Sequence, residues 1–271
     1  MNLSKVISMF FSGTGTTKKV VTSIGKSISK ELKKEYEIID FTLPHVREDE
    51  VHIRKDEILI IGVPVYAGRV PNVLLDYLSK IKGEGALCVP IVLYGNRNFD
   101  DALVELSDIC TGNGFSVIAA AGFIGEHSFS RILAKGRPDQ KDMETVEEFS
   151  KDIVSKIKSS SFDMIDQIRG TRPYRKYYRP VNPQGDFVDI RRVKPLTNDK
   201  CNDCKICVDL CPMGSINYED VSKFDSICIK CGACEKGCPE GAKYYSDEDY
   251  LRHKIELEIE FQARKEPELF L

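Results

Sequence analysis

Eight of the ten cysteines of this chain lie close together, between Cys201 and Cys238. They form two similar blocks, CNDCKICVDLCP starting at 201 and CIKCGACEKGCP starting at 228, and both have the spacing C-x2-C-x2-C-x3-C-P. With this spacing, three cysteines bind irons of one cubane cluster, and the fourth, before the proline, binds the other cluster. The spacing therefore predicts two [4Fe–4S] clusters, held by Cys201, Cys204, Cys207 and Cys238 (cluster 1) and by Cys228, Cys231, Cys234 and Cys211 (cluster 2).

Two other uses of clustered cysteines fit this sequence less well. Zinc sites take four ligands in two pairs, with wider and less regular gaps. A disulfide framework is typical of oxidising compartments, whereas residues 1–5 lead directly into a strand-like run without a secretory signal pattern. The sequence thus favours iron–sulfur clusters and a cytoplasmic location. The two remaining cysteines, Cys88 and Cys110, lie in apolar surroundings and are predicted to be core residues.

A loop rich in glycine and threonine, SGTGTT at residues 12–17, follows the first apolar run. A loop of this kind before a helix holds phosphate through backbone N–H groups, hydroxyls and the positive end of the helix. The triphosphate motif G-x-x-x-x-G-K-[ST] and the dinucleotide motif G-x-G-x-x-G both require glycine where this chain has Lys18. A simple helix-capping turn is the alternative use of such a loop.

The loop resembles the flavodoxin phosphate loop, [ST]-x-T-G-x-T, and matches it in full. This resemblance implies that the 5′-phosphate of FMN is held by Ser12, Thr14, Gly15, Thr16 and Thr17. The flavin ring is then expected at the loops after the third and fourth strands, where parallel sheets bind ligands. The candidate ring contacts are Pro64, Val65, Tyr66, Ala67, Gly68, Tyr94, Gly95, Asn96, Arg97 and Phe99. Arg69 and Arg97 would raise the flavin potential, or would face a substrate or the cysteine-rich domain.

Alternating strand and helix signals over residues 1–160 predict the scaffold for this loop. Apolar runs at 6–11, 37–41, 58–65, 88–93 and 117–121 predict five strands, with helices between them and a closing helix at 144–157. The expected fold is an α/β, flavodoxin-like, doubly wound parallel sheet with the order 2-1-3-4-5. The long loop 124–142 carries His127, a candidate proton donor to flavin or substrate, since an ordinary histidine titrates near neutral pH. A structural hydrogen bond is the alternative role.

The rest of the chain divides into three predicted parts. Residues 161–195 form a basic linker; five basic residues and three tyrosines lie between Arg169 and Arg179, which indicates a solvated or partner-facing segment. Residues 196–246 resemble a small α+β two-cluster ferredoxin of the bacterial type. Residues 247–271 are charged and predict a C-terminal helix and tail.

The whole arrangement resembles the EFR-type flavodoxin–ferredoxin fusion proteins of anaerobes, including GEHSF at 125–129 and EPELF at 266–270. The resemblance implies FMN and two [4Fe–4S] clusters without naming a reaction. A net charge of −3 argues against nucleic acid as a partner, and no apolar run reaches the ~20 residues of a membrane span.

These features predict an electron-transfer flavoprotein whose partners are redox proteins or a small electron acceptor; a homodimer is left open. The main alternative is an FMN-dependent reductase of a small organic acceptor, which requires a closed, polar-lined cavity beside the flavin. A redox sensor that docks a partner through its basic linker is a third hypothesis.

Overall fold

A computed structural model describes residues 3–159, 165 and 167–271. Its first part is a parallel sheet whose strands are β1 (Lys5–Phe10), β2 (Glu35–Asp40), β3 (Glu57–Pro64), β4 (Leu87–Tyr94) and β5 (Ala120–Ile124). The strands lie in the order β2-β1-β3-β4-β5, which confirms the predicted 2-1-3-4-5 sheet. The main helices between and after them are α1 (Thr16–Leu32), α2 (Leu75–Ser79), α3 (Ala102–Gly112) and α4 (Gln140–Lys158).

The sheet is buried on both faces because helices cover each of them. The side chains of β4 are buried along the whole strand, as its continuous apolar sequence predicts. One core packs α1 and α4 against the sheet, and a second core packs α2 and α3 against the opposite face. No helix in the described ranges is long and apolar enough to cross a membrane. Short elements complete this part: 3-10 turns at Pro44–Val46 and Asn72–Leu74, a ladder of Val51–His52 with Ile81–Lys82, and Ser116–Val117 beside β4.

The cysteine-rich part is small and irregular. It contains a two-stranded antiparallel ladder of Leu196–Thr197 with Lys243–Tyr244 and two single-turn helices, α5 (Ile206–Asp209) and α6 (Ala233–Lys236). The predicted C-terminal helix follows as α7 (Glu248–Glu260). A 3-10 turn at Ile190–Arg192 precedes the ladder.

The end of the chain returns to the first part of the molecule, which the sequence did not indicate. Residues Glu268–Phe270 form β6, which pairs antiparallel with β5 and places Leu269 opposite Ala121. A strand of three residues carries too little pattern to be recognised; it forms because β5 offers unpaired backbone groups at the sheet edge. The cysteine-rich part therefore lies between two segments that both contact the first part of the molecule.

The first of these segments is the basic linker, which packs against the protein rather than facing solvent as expected. Arg175 donates to the carboxylate of Asp101, and Arg172 donates to Asp108 at 2.6 and 2.8 Å. The backbone N–H of Tyr178 donates to the carbonyl of Ala67 at 2.9 Å. The linker arginines are thus largely used for intramolecular ion pairs. The predicted domain boundary at 160/161 lies outside the described residues.

A buried ion pair fixes the long loop before α4. The guanidinium of Arg137, 5% exposed, donates to the fully buried carboxylate of Asp142 and to the carbonyl of Lys265. We expect Arg137→Met to destabilise the fold by about 3 kcal/mol, because the Asp142 carboxylate stays buried after its main partner is gone. Urea unfolding followed by circular dichroism measures this. Lys151→Met, which removes an exposed pair with Glu147, is the control, and an equal effect of both variants would contradict the account.

Candidate functional site

The eight clustered cysteines surround two separate cavities, each with one complete predicted set. Cys201, Cys204, Cys207 and Cys238 line the first, and Cys211, Cys228, Cys231 and Cys234 line the second. In both sets the thiol before the proline accepts a backbone N–H at 3.3 Å, from Ala242 to Cys238 and from Ser215 to Cys211. Among the described residues, no group of three or more His, Cys, Asp or Glu side chains has the arrangement of a binding site for one metal ion. The fold therefore brings together the residues that the spacing assigned to each cluster.

The two cysteine sets differ in their surroundings. Cys204 of the first set is exposed. Burial alone would raise the pKa of Cys238, but the backbone N–H groups of residues 240–243 outweigh it and lower that pKa. In the second set, burial raises the pKa of Cys231 to about 12 and also raises that of Cys234. The first set lies near the surface, and the second lies in a drier position.

The glycine–threonine loop lies between β1 and α1, at the carboxyl edge of the sheet. Gly15 precedes α1 with a φ of 84° and has no side chain to cap the helix, and the first turn carries no acidic residue. The N–H groups of Thr16 and Thr17 and the positive helix end are therefore open to an anion. A small cavity of about 60 Å³ lies there and is lined by Gly13, Thr14, Thr16 and Thr17.

This small cavity continues into a much larger one of about 540 Å³. The residues common to both walls are Val65, Tyr66, Tyr94, Gly95, His127 and Ser128. The far side of the large cavity is lined by the linker, α7 and residues 227–230 of the cysteine-rich part. Together the two cavities form a continuous cleft. It runs from the glycine–threonine loop at residues 12–17, here called the phosphate-type loop, to the space between the two parts of the molecule.

Comparison with known proteins bears on the cysteine-rich part most directly. Residues 200–245 match the family model described as a 4Fe-4S dicluster domain. By this similarity we call residues 200–245 the dicluster domain. The match confirms the prediction of a two-cluster, ferredoxin-type unit.

Two curated proteins and a solved structure are similar to different parts of the chain. The pyruvate synthase subunit PorD of Methanothermobacter marburgensis is 44% identical over 50 residues, which are 18% of this chain and 60% of that protein. The ferredoxin 7Fe of Hydrogenibacillus schlegelii is 46% identical over 43 residues, 15% of this chain and 55% of that protein. The chain thus spans little more than half the length of these curated relatives. Oxidised flavodoxin 2 from Bacillus cereus is 16% identical, with a TM-score of 0.42, and the match covers 56% of this chain and 99% of that one.

The dicluster domain packs directly on the phosphate-type loop. A Cβ placed on Gly13 would lie 3.1 Å from Cβ and 3.4 Å from Sγ of Cys231, so glycine permits this approach. A Cβ on Gly232 would lie 2.6 Å from the carbonyl oxygen of Ser128. Of the eight clustered cysteines, two members of the second set line the cleft, and none of the first set does. Cys231 lines the small cavity and Cys228 lines the large one.

Lys236 of the dicluster domain fastens this interface. Its ammonium donates to Glu126 Oε1 at 2.6 Å and to the carbonyls of His127 and Ser130 at 2.7 and 2.8 Å. We expect Lys236→Met to speed hydrogen exchange of residues 126–131 about tenfold or more, because three acceptors lose a charged donor. Hydrogen exchange with mass spectrometry measures this, with the exposed Lys223→Met as control. Unchanged exchange in the variant would show that Lys236 does not hold the domains together.

Most predicted flavin-ring residues do line the cleft. The large cavity is walled by Val65, Tyr66, Ala67, Gly68, Tyr94, Gly95 and Arg97, and the small one also by Pro64. Ser12 and Gly15 line neither cavity: the Ser12 hydroxyl accepts the N–H of Lys18 at 3.0 Å and so caps the helix. These two shape the loop, whereas the threonines face the cavity.

Two predicted ring contacts, Phe99 and Asn96, and the predicted flavin-side cation Arg69 have other partners in the structure. Phe99 is fully buried in the core beside Tyr94, with ring centroids 5.6 Å apart, and lines no part of the cleft. The amide of Asn96 points to the C-terminal segment, where it donates to the carbonyls of Phe261 and Ala263 at 2.6 and 2.9 Å. The guanidinium of Arg69 donates two hydrogen bonds to the carboxylate of Glu105, from Nε at 2.7 Å and from Nη2 at 2.6 Å. Its charge is therefore paired with Glu105 and not directed to the flavin loops.

His127 lies in the cleft wall as expected, but its pKa is lowered. Burial, assisted by Lys236, His253 and Arg97, lowers the pKa of His127 to about 3, so the expectation of a neutral-range pKa is wrong. The N–H of Phe129 donates to Nδ1 at 3.1 Å, which places the proton of the neutral ring on Nε2. His127 therefore offers a neutral hydrogen-bond donor; a role in proton transfer stays a prediction.

The residues of the far cavity wall were not predicted from the sequence. That wall is formed by Tyr177, Tyr178, Arg179, Val188, Asp189, Ile190, Lys230, His253 and Leu257. Tyr178 stacks on the buried imidazole of His253 at 5.7 Å and lies under the guanidinium of Arg97 at 5.0 Å. The three tyrosines among the basic residues were the available signal, since aromatic residues in a linker indicate packing.

Proposed function

We propose that the chain is an iron–sulfur flavoprotein in which FMN occupies the cleft and exchanges electrons with the dicluster domain. The observation that carries the proposal is the contact of Cys231 with Gly13 of the phosphate-type loop. It supports a flavin site and a cluster site that share one wall. Electrons would then pass between them inside a single chain, without a protein encounter.

The donor set of the cleft suits FMN. A helix N-terminus with threonine hydroxyls and no acidic residue in its first turn fits a phosphate dianion. Tyr66 and Tyr94 offer aromatic surfaces in the adjoining wall. When bound, FMN supplies a carrier that accepts electrons one or two at a time.

The positions of the two cysteine sets support an order of electron transfer. Cys204 is exposed, and no cysteine of the first set lines the cleft. Cys228 and Cys231 of the second set do line it. The proposed route runs between an external one-electron partner, cluster 1, cluster 2 and FMN, in that order or its reverse.

Anaerobic purification with cofactor analysis tests the proposal. The expected content is about eight irons, about eight acid-labile sulfides and one FMN per chain. Reductive titration followed by visible absorbance and electron paramagnetic resonance should show both cofactor types changing in one sample. A preparation with zinc in place of iron, or one that binds no FMN when FMN is supplied, would overturn the proposal.

The large cavity favours a second candidate function, a reductase of a small organic acceptor. A protein that only carries electrons needs an exposed flavin edge and no substrate cavity, whereas here the linker and α7 line a cavity of about 540 Å³ beside the flavin loops. In such a reaction the acceptor takes up two electrons and two protons. The electrons arrive singly through the clusters from an external one-electron donor, and the protons come from water.

A further inference from the structure

The large cavity presents several hydrogen-bond donors that have no acceptor. The guanidinium of Arg97 donates to Asp100 through one of its five N–H groups, and no other hydrogen-bond partner of it lies among the described residues. The Nε2–H of His127 likewise has no hydrogen-bond partner in the described ranges. His253 is 6% exposed, and its Nδ1 lies 3.7 Å from the carboxylate of Glu256, which favours the proton of the neutral ring on that nitrogen. An acceptor brought by a ligand would satisfy both Arg97 and His127.

The same cavity has no free carboxylate to balance these donors. Asp189 is the one acidic residue in the wall that the structure describes, and Arg191 holds it with two bonds of 2.7 and 2.8 Å. Arg179 and Lys230 add two further cations, and Lys230 is bonded only to the carbonyls of Cys228 and Arg191. Arg97 and Arg191 are paired with Asp100 and Asp189, so Arg179 and Lys230 leave the described wall with a positive charge excess that favours an anionic ligand.

The flavin ring does not account for the whole wall. The loops that would hold the ring, residues 65–68 and 94–97, form one side of the cavity. Arg179 and His253 belong to the linker and to α7, which enclose the opposite side. Tyr178 lies between these two sides, against both Arg97 and His253.

We propose that this side of the cavity binds a small organic anion with a carboxylate group, next to the flavin. The inference rests on the proposed function, because it assigns the acceptor class of the same cleft. Arg97 and the Nε2–H of His127 donate to the carboxylate, and the ring of Tyr178 supports the organic part. Such an anion occupies the electron-accepting position beside FMN.

Binding of benzoate to the anaerobically purified, FMN- and iron-loaded protein tests the inference. Benzoate should perturb the visible flavin spectrum in a saturable way, with a Kd of about 1 mM or lower. Benzamide, the neutral analogue of the same shape, should bind at least tenfold more weakly at the same ionic strength. No saturable change with benzoate, or equal binding of benzamide, overturns the inference.

Variants locate the anion. Arg97→Gln should weaken benzoate binding at least tenfold, and Arg97→Lys should restore part of the affinity because the charge is kept. Arg54→Gln, on the exposed surface, should bind benzoate like the parent chain. Iron and FMN contents of every variant are measured first. If a loaded Arg97→Gln protein binds benzoate within twofold of the parent, Arg97 is not the anion ligand; a parent protein that binds no FMN instead refutes the proposed function.

Discussion

Replacing Cys228 by alanine is expected to reduce the iron content from about eight to about four per chain. The same change should slow flavin reduction by a reduced bacterial ferredoxin at least about 100-fold, or about 2.7 kcal/mol in the barrier. The physical reason is position, since Cys228 and its set lie against the cleft and the first set does not. Stopped-flow absorbance of the flavin under anaerobic conditions measures the rate.

Cys88→Ala is the matched control for this change. Cys88 is a buried core cysteine outside both sets, so its replacement should leave the iron content and the rate unchanged. Cys234→Ala, in the same set as Cys228, should reproduce the slow flavin reduction. A Cys228→Ala protein that retains FMN and four irons yet reduces its flavin at the parent rate would contradict electron passage through cluster 2.

Replacing Gly13 by valine is expected to weaken FMN binding at least about 100-fold, or about 2.7 kcal/mol. A Cβ at this position already meets the Cβ of Cys231 at 3.1 Å, and valine adds two methyl groups. Cys231 cannot yield when it is anchored to a cluster, so the loop has to move and the phosphate donors of Thr14 and Thr16 lose their alignment. FMN retained after anaerobic gel filtration, and calorimetric titration of the flavin-free protein, measure the loss.

A graded series separates this steric effect from a general loss of stability. Gly13→Ala should weaken FMN binding less than Gly13→Val, because only the first contact is made. Gly112→Ala, where an added Cβ meets no atom within 4 Å, should bind FMN like the parent chain. Stoichiometric FMN in a Gly13→Val protein with full iron content would show that the loop and the dicluster domain are not packed as described.

Local patterns in the sequence predicted the parts of this molecule that depend on neighbouring residues. The two cysteine sets follow from a fixed spacing, and the fold gathers each set around one cavity. The sheet order follows from five apolar runs with helices between them. The threonines of the phosphate-type loop follow from the turn between β1 and α1.

Contacts between distant segments were not predictable in this way. Phe99 lies in a loop whose sequence suits a flavin contact. Its ring is buried in the core instead, because Gly122 of β5 has no side chain and leaves space for it. Asn96 turns to the C-terminal segment, whose position depends on the pairing of β6 with β5. His253 reaches the cavity only because α7 crosses it, and no spacing in the sequence reports that crossing.

An anaerobic crystal structure with iron anomalous scattering would locate the flavin and both clusters in one experiment. We predict FMN in the cleft with its phosphate at Thr14, Thr16 and Thr17, and two iron clusters. The cluster nearer to the flavin is predicted to be bound by Cys211, Cys228, Cys231 and Cys234. An empty cleft in the presence of FMN, or a nearer cluster bound by the Cys201 set, would contradict this prediction.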